Sequence, residues 1–384
     1  MSHIIQSRAV ETFVCLGDKC EDTCCKGWGM QLTRETIAKF EGQAPELLEA
    51  VVTGEAEFVM KRDPQTDYCV KFDAGWCGIH RDYGSDFLGD ACHFFPRITR
   101  AIGETVLTTA ALSCPESARL MLMEEGAFAW APREEQRAPY SMKQYLPEGM
   151  AEDDALALHD LFVAEAGNPA FSAEVNVMRV SAVVQALVLQ PMAQWPPAAV
   201  FYFNMAEGRI PPAEAAATDP FNLTHALAGL VNASKASHRP RLQQTMETIC
   251  AVLGITLDGP TITLAPDAAQ RFLSMQHHWR TLEMQPVLRR YVQAQLSIAF
   301  FPFAGLGMTL AERMTIIGVR FATVKLALMA EAKASGTLAP DAVIRVVQSL
   351  SRFMDHLADA TLSLQIYHEA GWVRESRLRG LLME

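Results

Sequence analysis

Eight of the nine cysteines fall within the first 114 of 384 residues, and four of them are packed into Cys15-Leu-Gly-Asp-Lys-Cys20-Glu-Asp-Thr-Cys24-Cys25. Cys69, Cys77, Cys92 and Cys114 complete the set, and the remaining chain carries only Cys250. Thiols this dense must do more than pack, so the N-terminal third has to fold around sulfur chemistry. Disulfide frameworks belong mainly to small secreted domains. The opening stretch Met1-Ser-His-Ile-Ile-Gln-Ser-Arg-Ala-Val-Glu11 lacks the basic flank and sustained apolar run of an export signal. A reducing cytoplasm is the expected location, and there clustered cysteines bind metal or do redox chemistry.

The candidate metal ligands are therefore Cys15, Cys20, Cys24, Cys25, Cys69, Cys77, Cys92 and Cys114. The spacing Cys-x4-Cys-x3-Cys-Cys matches neither the paired C-x2-C of zinc ribbons nor the ferredoxin runs. It also differs from the Cys-x3-Cys-x2-Cys of ordinary radical S-adenosylmethionine enzymes. Zinc and a [4Fe-4S] cluster both accept four thiolates, so one centre with spares and two centres are both open. Successive side chains diverge in a strand or a helix, so Cys24 and Cys25 share a centre only across a backbone kink. His80 and His93 are substitute ligands.

Ser113-Cys114-Pro115-Glu116 reads as a capping box with proline in the first turn, opening the run Ala118 to Met123. Cys114 is thus expected at a helix N-terminus, where the dipole and free N–H groups favour thiolate. Formal charge is −11 overall, with twelve Lys/Arg against twenty Asp/Glu in the first 130 residues. Such a field disfavours nucleic acid and attracts a lysine-bearing protein.

Beyond about residue 125 the pattern is helical. Apolar residues recur at three- and four-residue spacing over Val175–Leu189, Asn222–Val231, Leu242–Leu253 and Ala342–Ile366. Thr309-Leu-Ala-Glu312 and Ala339-Pro340-Asp341 mark helix starts. Gln194-Trp-Pro-Pro197 and Gly208 to Pro212 mark breaks, and Leu257 to Leu264 a short hairpin. The apolar stretch Leu296–Leu310 is interrupted by Pro302, Gly305 and Gly307 and is too short to span a bilayer, so a helix-loop-helix corner is expected there. Peripheral membrane contact stays open. The expected fold is mainly α: a Cys-rich, loop-rich metal-binding domain over 1–125, then an all-helical domain over 126–384. No glycine-rich loop follows a predicted strand, so a doubly wound cofactor-binding fold is not expected.

Phe13 to Trp28, Cys77-Gly-Ile-His80, Cys92-His-Phe-Phe-Pro-Arg97 and Leu112 to Arg119 together resemble the flagellin lysine N-methylase family. Tyr291 to Leu296, Phe301-Pro-Phe303, Glu312 to Ala330 and Val347 to His356 are similar to that family's C-terminal pattern. The N-terminal motifs also resemble a broader group of cysteine-cluster domains regarded as zinc or iron chelators. The resemblance implies methyl transfer from S-adenosylmethionine to lysine side chains of flagellin, with an iron–sulfur cluster held by the cysteine motif.

Polar methyl transfer needs a neutral amine, so the lysine must be desolvated or deprotonated. Glu21, Asp22, Tyr83 and His356 are candidate bases, and no catalytic residue is assigned from sequence. Arg352 and His356, one helical turn apart, are placed to face one pocket. The alternative is a non-enzymatic zinc- or iron-binding protein whose helical domain contacts a partner.

Overall fold

A computed structural model describes residues 3–54, 58–133, 145–206, 239–258, 261–303, 307–355, 360–374, 378 and 380–382. The described chain is mainly α.

The first element is nonetheless a sheet that helical periodicity does not foresee. Strands Arg97–Ile102 and Thr105–Ala110 form an antiparallel hairpin closing at Ile102↔Thr105. Gly103 supplies the positive φ of the turn, and the run Thr105-Val-Leu-Thr-Thr109, four of its five residues β-branched, suits a strand. His3–Ser7 lies parallel to Thr105–Ala110, and Trp130–Pro132 adds antiparallel on its other side. The chain thus leaves the sheet after Ser7 and rejoins it at Arg97, and seven of the eight N-terminal cysteines lie on that excursion. Cys114 comes just after the hairpin.

The excursion is held by a small core of its own around Phe40, Leu47, Met60 and Leu88. A three-stranded sheet centred on Phe58–Met60 and the helix Arg34–Gln43 enclose it. A tight hairpin, Phe72–Asp73 with Trp76–Cys77, presents Cys77.

The larger core runs from Ala9 and Val10 through Ile102, Leu107 and Met121 to Leu381 and Leu382. Its axis is the helix Leu310–Ser335, buried on nearly all sides, as a core helix must be when apolar residues circle it. The expected capping box is formed: the Glu312 N–H donates to Thr309 Oγ1 at 3.2 Å and the Thr309 N–H to Glu312 Oε2 at 2.8 Å. Around this axis pack the helices Ala173–Leu187, Pro240–Leu253, Ala268–Trp279, Gln285–Ile298 and Pro340–Met354.

Several expectations are refined. The prolines after Trp195 start a helix, Trp195–Ala206, because its first-turn N–H groups need no partner. The single segment expected over Ala342–Ile366 is two helices, Pro340–Met354 and Ala360–Glu369. The C-terminal part is not all-helical, since Ile255–Asp258 pairs with Thr261–Leu264 around the Gly259-Pro260 turn signal. The apolar stretch after Leu296 is a corner, with Phe300 and Phe301 buried between two helices. Among the described residues no helix is long and apolar enough to cross a membrane. Asn222–Val231 and Gly208–Pro212 lie outside the described residues.

Candidate functional site

All eight N-terminal cysteines line one cavity of about 880 Å³. The excursion supplies most of its wall, and Ser113, Cys114, Arg239 and Arg352 close it from the side of the larger core. Sulfurs separated by up to a hundred positions in the chain are therefore gathered by the fold. Cys25, Cys69 and Cys114 are buried, Cys20, Cys77 and Cys92 half-buried, and Cys15 and Cys24 exposed.

The Cys25 thiol lies close enough to those of Cys24 and Cys77 to shift their titration, so the adjacent pair does reach one place. Bends on either side of Cys24 and Cys25 allow it, where a regular strand or helix would not. Sharing the Cys25 proton, then backbone N–H groups of His80 and Ile79, pulls Cys77 down to about 6. Cys25 is pushed up by the same contacts. The loop is pinned by Cys69 N–H to Cys25 O at 2.8 Å, Cys25 N–H to Thr23 Oγ1 at 3.1 Å and Trp28 Nε1–H to Cys24 O at 2.6 Å.

Between Cys15 and Cys20 a single 3₁₀ turn, Gly17–Lys19, folds against Trp76. Gly17 has φ +59, and a Cβ there would lie 2.9 Å from the Trp76 ring. Only glycine meets both demands.

The Cys114 expectation is half corrected. Cys114 is the N-cap of the helix Pro115–Met123, but no side chain caps that end, because Ser113 stands one position too early for the box. Nor is its thiol activated. Burial outweighs the N–H groups of Ser117 and Glu116 and pushes it up to about 12. Burial likewise raises Cys20 to about 11, and it raises Cys69 and Cys92. Burial lowers the pKa of His80, which lines the cavity beside His93. His93 Nδ1 meets the Ser85 carbonyl at 3.0 Å.

Two of the candidate bases stand off the cavity. Glu21 is ion-paired to Arg119, and Tyr83 is hydrogen-bonded to Glu46. Asp22 does line it, but its Oδ2 accepts from Arg352 Nη1 at 2.6 Å and Gln348 Nε2 at 2.8 Å. That makes it a strut between the cysteine loop and the helix Pro340–Met354. Arg352 faces the cavity as its helical position implies, while His356 lies outside the described residues. Sequence reasoning missed Gln348 and Arg239. Gln348 sits one turn before Arg352 on the same face, so helical spacing could have found it. Only Pro240, a helix-start signal, stands near Arg239.

Among the described residues, no group of three or more His, Cys, Asp or Glu side chains stands ready to hold a metal ion. By chemistry the set still fits a soft, thiolate-loving centre, since eight cysteines line one cavity.

No family model matches this chain, and no solved structure matches it. It is 25% identical over 130 residues to the lysine-N-methylase of Salmonella typhimurium, covering 31% of this chain and 32% of that protein. The lysine-N-methylase of Salmonella choleraesuis matches to the same extent. The flagellar biosynthetic protein FliU of Salmonella muenchen is also 25% identical over 130 residues, which is 77% of its length. The match thus spans about a third of the lysine-N-methylases. These similarities establish a distant relationship to that group.

Proposed function

We propose that this protein is a cytoplasmic S-adenosylmethionine-dependent methyltransferase that modifies lysine side chains of a flagellin. Its Cys-rich part, residues 1–125, would hold an iron–sulfur cluster, and the helical part, residues 126–384, would complete the site. The observation that carries this reading is the convergence of all eight N-terminal cysteines on one cavity. The distant similarity to lysine-N-methylases and to the flagellar biosynthetic protein FliU supports lysine methylation and a flagellar partner.

Cys24, Cys25 and Cys77 are the first ligands to consider, with a fourth from the remaining cavity cysteines. When bound, a [4Fe-4S] centre supplies electron transfer and a Lewis-acidic iron, while zinc in the same thiols supplies structure. The residues of the chain have their own tasks. Trp28, Trp76 and Phe95 give the cavity apolar walls that strip water from an incoming ammonium and so favour its neutral form. The acidic balance of the N-terminal third draws the lysine-bearing partner toward that opening.

The test is intact-mass analysis of flagellin produced anaerobically with the wild type and with a Cys24→Ser, Cys25→Ser variant. Methyl-sized increments with the wild type alone support the enzyme. Unmodified flagellin beside soluble, metal-loaded wild type would replace this reading with that of a metal-binding partner protein.

A further inference from the structure

The wall that the larger core lends to the thiol cavity is cationic. Arg239 and Arg352 sit side by side there, with the Arg239 Nη1–H donating to the Arg352 carbonyl at 2.9 Å. Their situations differ. Arg352 is engaged twice, by Asp22 Oδ2 at 2.6 Å and by the Lys26 carbonyl at 2.7 Å. Among the described residues Arg239 has no ion pair: the nearby Asp67 is committed to Arg62 at 2.6 Å, and Asp22 to Arg352. The Nε and Nη2 edge of its guanidinium lies over Gly27, where even an added Cβ would stand 3.6 Å from Nη2. Asp67 Oδ2 stands 4.0 Å from the same point and makes no ion pair with Arg239.

A half-buried guanidinium beside a second one, with Asp22 and Asp67 nearby but neither within ion-pair distance, is stabilised further by an anion that meets it directly. The planar fork offers two parallel N–H donors, the match for a carboxylate. The surrounding cavity is of the size that encloses a nucleoside-sized ligand rather than a lone ion. We propose that Arg239 is the carboxylate-recognition residue of this cavity and takes the amino-acid carboxylate of S-adenosylmethionine. This assignment rests on the methyl-donor reading above. It places the methionine end of the donor on the helical wall, facing the thiols contributed by the excursion.

Calorimetric titration of the anaerobically purified, metal-containing protein tests it, using S-adenosylmethionine and decarboxylated S-adenosylmethionine as probes. The wild type is expected to prefer the carboxylated probe by about 10- to 100-fold in Kd, the worth of a charge-assisted pair. Arg239→Gln should erase that preference by weakening only the carboxylated probe, with iron and sulfide content unchanged. A preference retained in the variant overturns the assignment while leaving the methyl-donor reading intact. So does loss of iron with both probes weakened equally, which would make Arg239 a counter-charge for the thiolates. If the variant does not fold, equal affinity of the wild type for the two probes overturns it just as well. Binding of neither probe brings down the methyl-donor reading, and this assignment with it.

Discussion

Asp22 and Arg352, 330 residues apart in sequence, meet at 2.6 Å and tie the cysteine loop to a helix of the larger core. Gln348 shares the same carboxylate oxygen at 2.8 Å and also donates to the Ser113 carbonyl at 3.0 Å, next to Cys114. One side-chain cluster thereby fixes both the dense cysteine loop and the last cavity cysteine. Arg352→Ala should destabilise the protein by about 1–3 kcal/mol, the range for losing a partly buried charge-assisted hydrogen bond. The loss is expected to fall on the cysteine loop first. Hydrogen exchange at residues 20–26 should rise, while exchange in the helix Leu310–Ser335 stays unchanged.

The cavity cysteines and Cys250 should separate cleanly in metal content. Cys250 lies in the helix Pro240–Leu253 and packs against the larger core, away from the cavity lining. Cys250→Ser should retain the metal content of the wild type. Cys25→Ser, which removes the thiol that shifts the titration of both Cys24 and Cys77, should lower it severalfold. Metal and sulfide analysis of both proteins after anaerobic purification decides the matter, and equal content in the two variants would refute the cavity as the metal site.

Gly17→Ala should act locally. The new methyl group meets Trp76 at 2.9 Å in a backbone with φ +59, so strain and clash combine. A cost of roughly 1–3 kcal/mol is expected from the conformation together with the overpacking. Trp76 fluorescence should report the displacement, and thermal melts the cost.

Acid should destabilise the helical core through His159. Its ring is fully buried, and burial lowers its pKa, while Nδ1 donates to the Phe301 carbonyl at 2.8 Å. Above the unfolded value of about 6.5 the ring is neutral in both states, and its contribution is complete. Below it the unfolded chain takes up a proton that the folded chain refuses. Stability therefore falls as pH drops from about 6.5 toward the lowered folded value, by at most about 1.4 kcal/mol per pH unit. His159→Gln removes this group's titration, so its melting temperature should change less than the wild type's between pH 7 and 5.

The buried ion pair Glu174–Lys325 offers a contrast between one change and two. The charges meet at 3.0 Å, with both side chains 8% exposed. Lys325→Met leaves a buried carboxylate without its counter-charge, held by Gln285 and a backbone N–H, and should cost about 3–5 kcal/mol. Adding Glu174→Gln should recover much of that loss in denaturant melts, because the unpaired charge is then gone as well.

Much of the helical part was legible because its signals are local. The Thr309/Glu312 box, Pro340 and the apolar spacing of Leu242–Leu253 each act within a turn or two of chain. The sheet was less so. Gly103-Glu104 between β-branched runs signals a hairpin, but the parallel partner His3–Ser7 comes from a hundred residues away and leaves no local trace. At the site, residue types were readable and environments were not. The helix-end position of Cys114 follows from Pro115, yet the burial that reverses its expected activation depends on packing by distant elements. Arg352 could be placed on a pocket-facing side of its helix, whereas the pairing with Asp22 depended on tertiary closure.

The excursion between Ser7 and Arg97 leaves and re-enters one sheet, with the strand Thr105–Ala110 lying between its two ends. Its ends are thus pinned about 10 Å apart, two strand spacings, whatever happens to the sulfurs. The cysteine-bearing segment behaves as a closed loop riveted to a frame. Without any group bound among the thiols the chain can slacken, but it cannot drift from the helical wall, and the entropy of bringing the thiols back together stays small. If the proposed centre is loaded there, its repeated binding and loss would leave a frame that never has to refold.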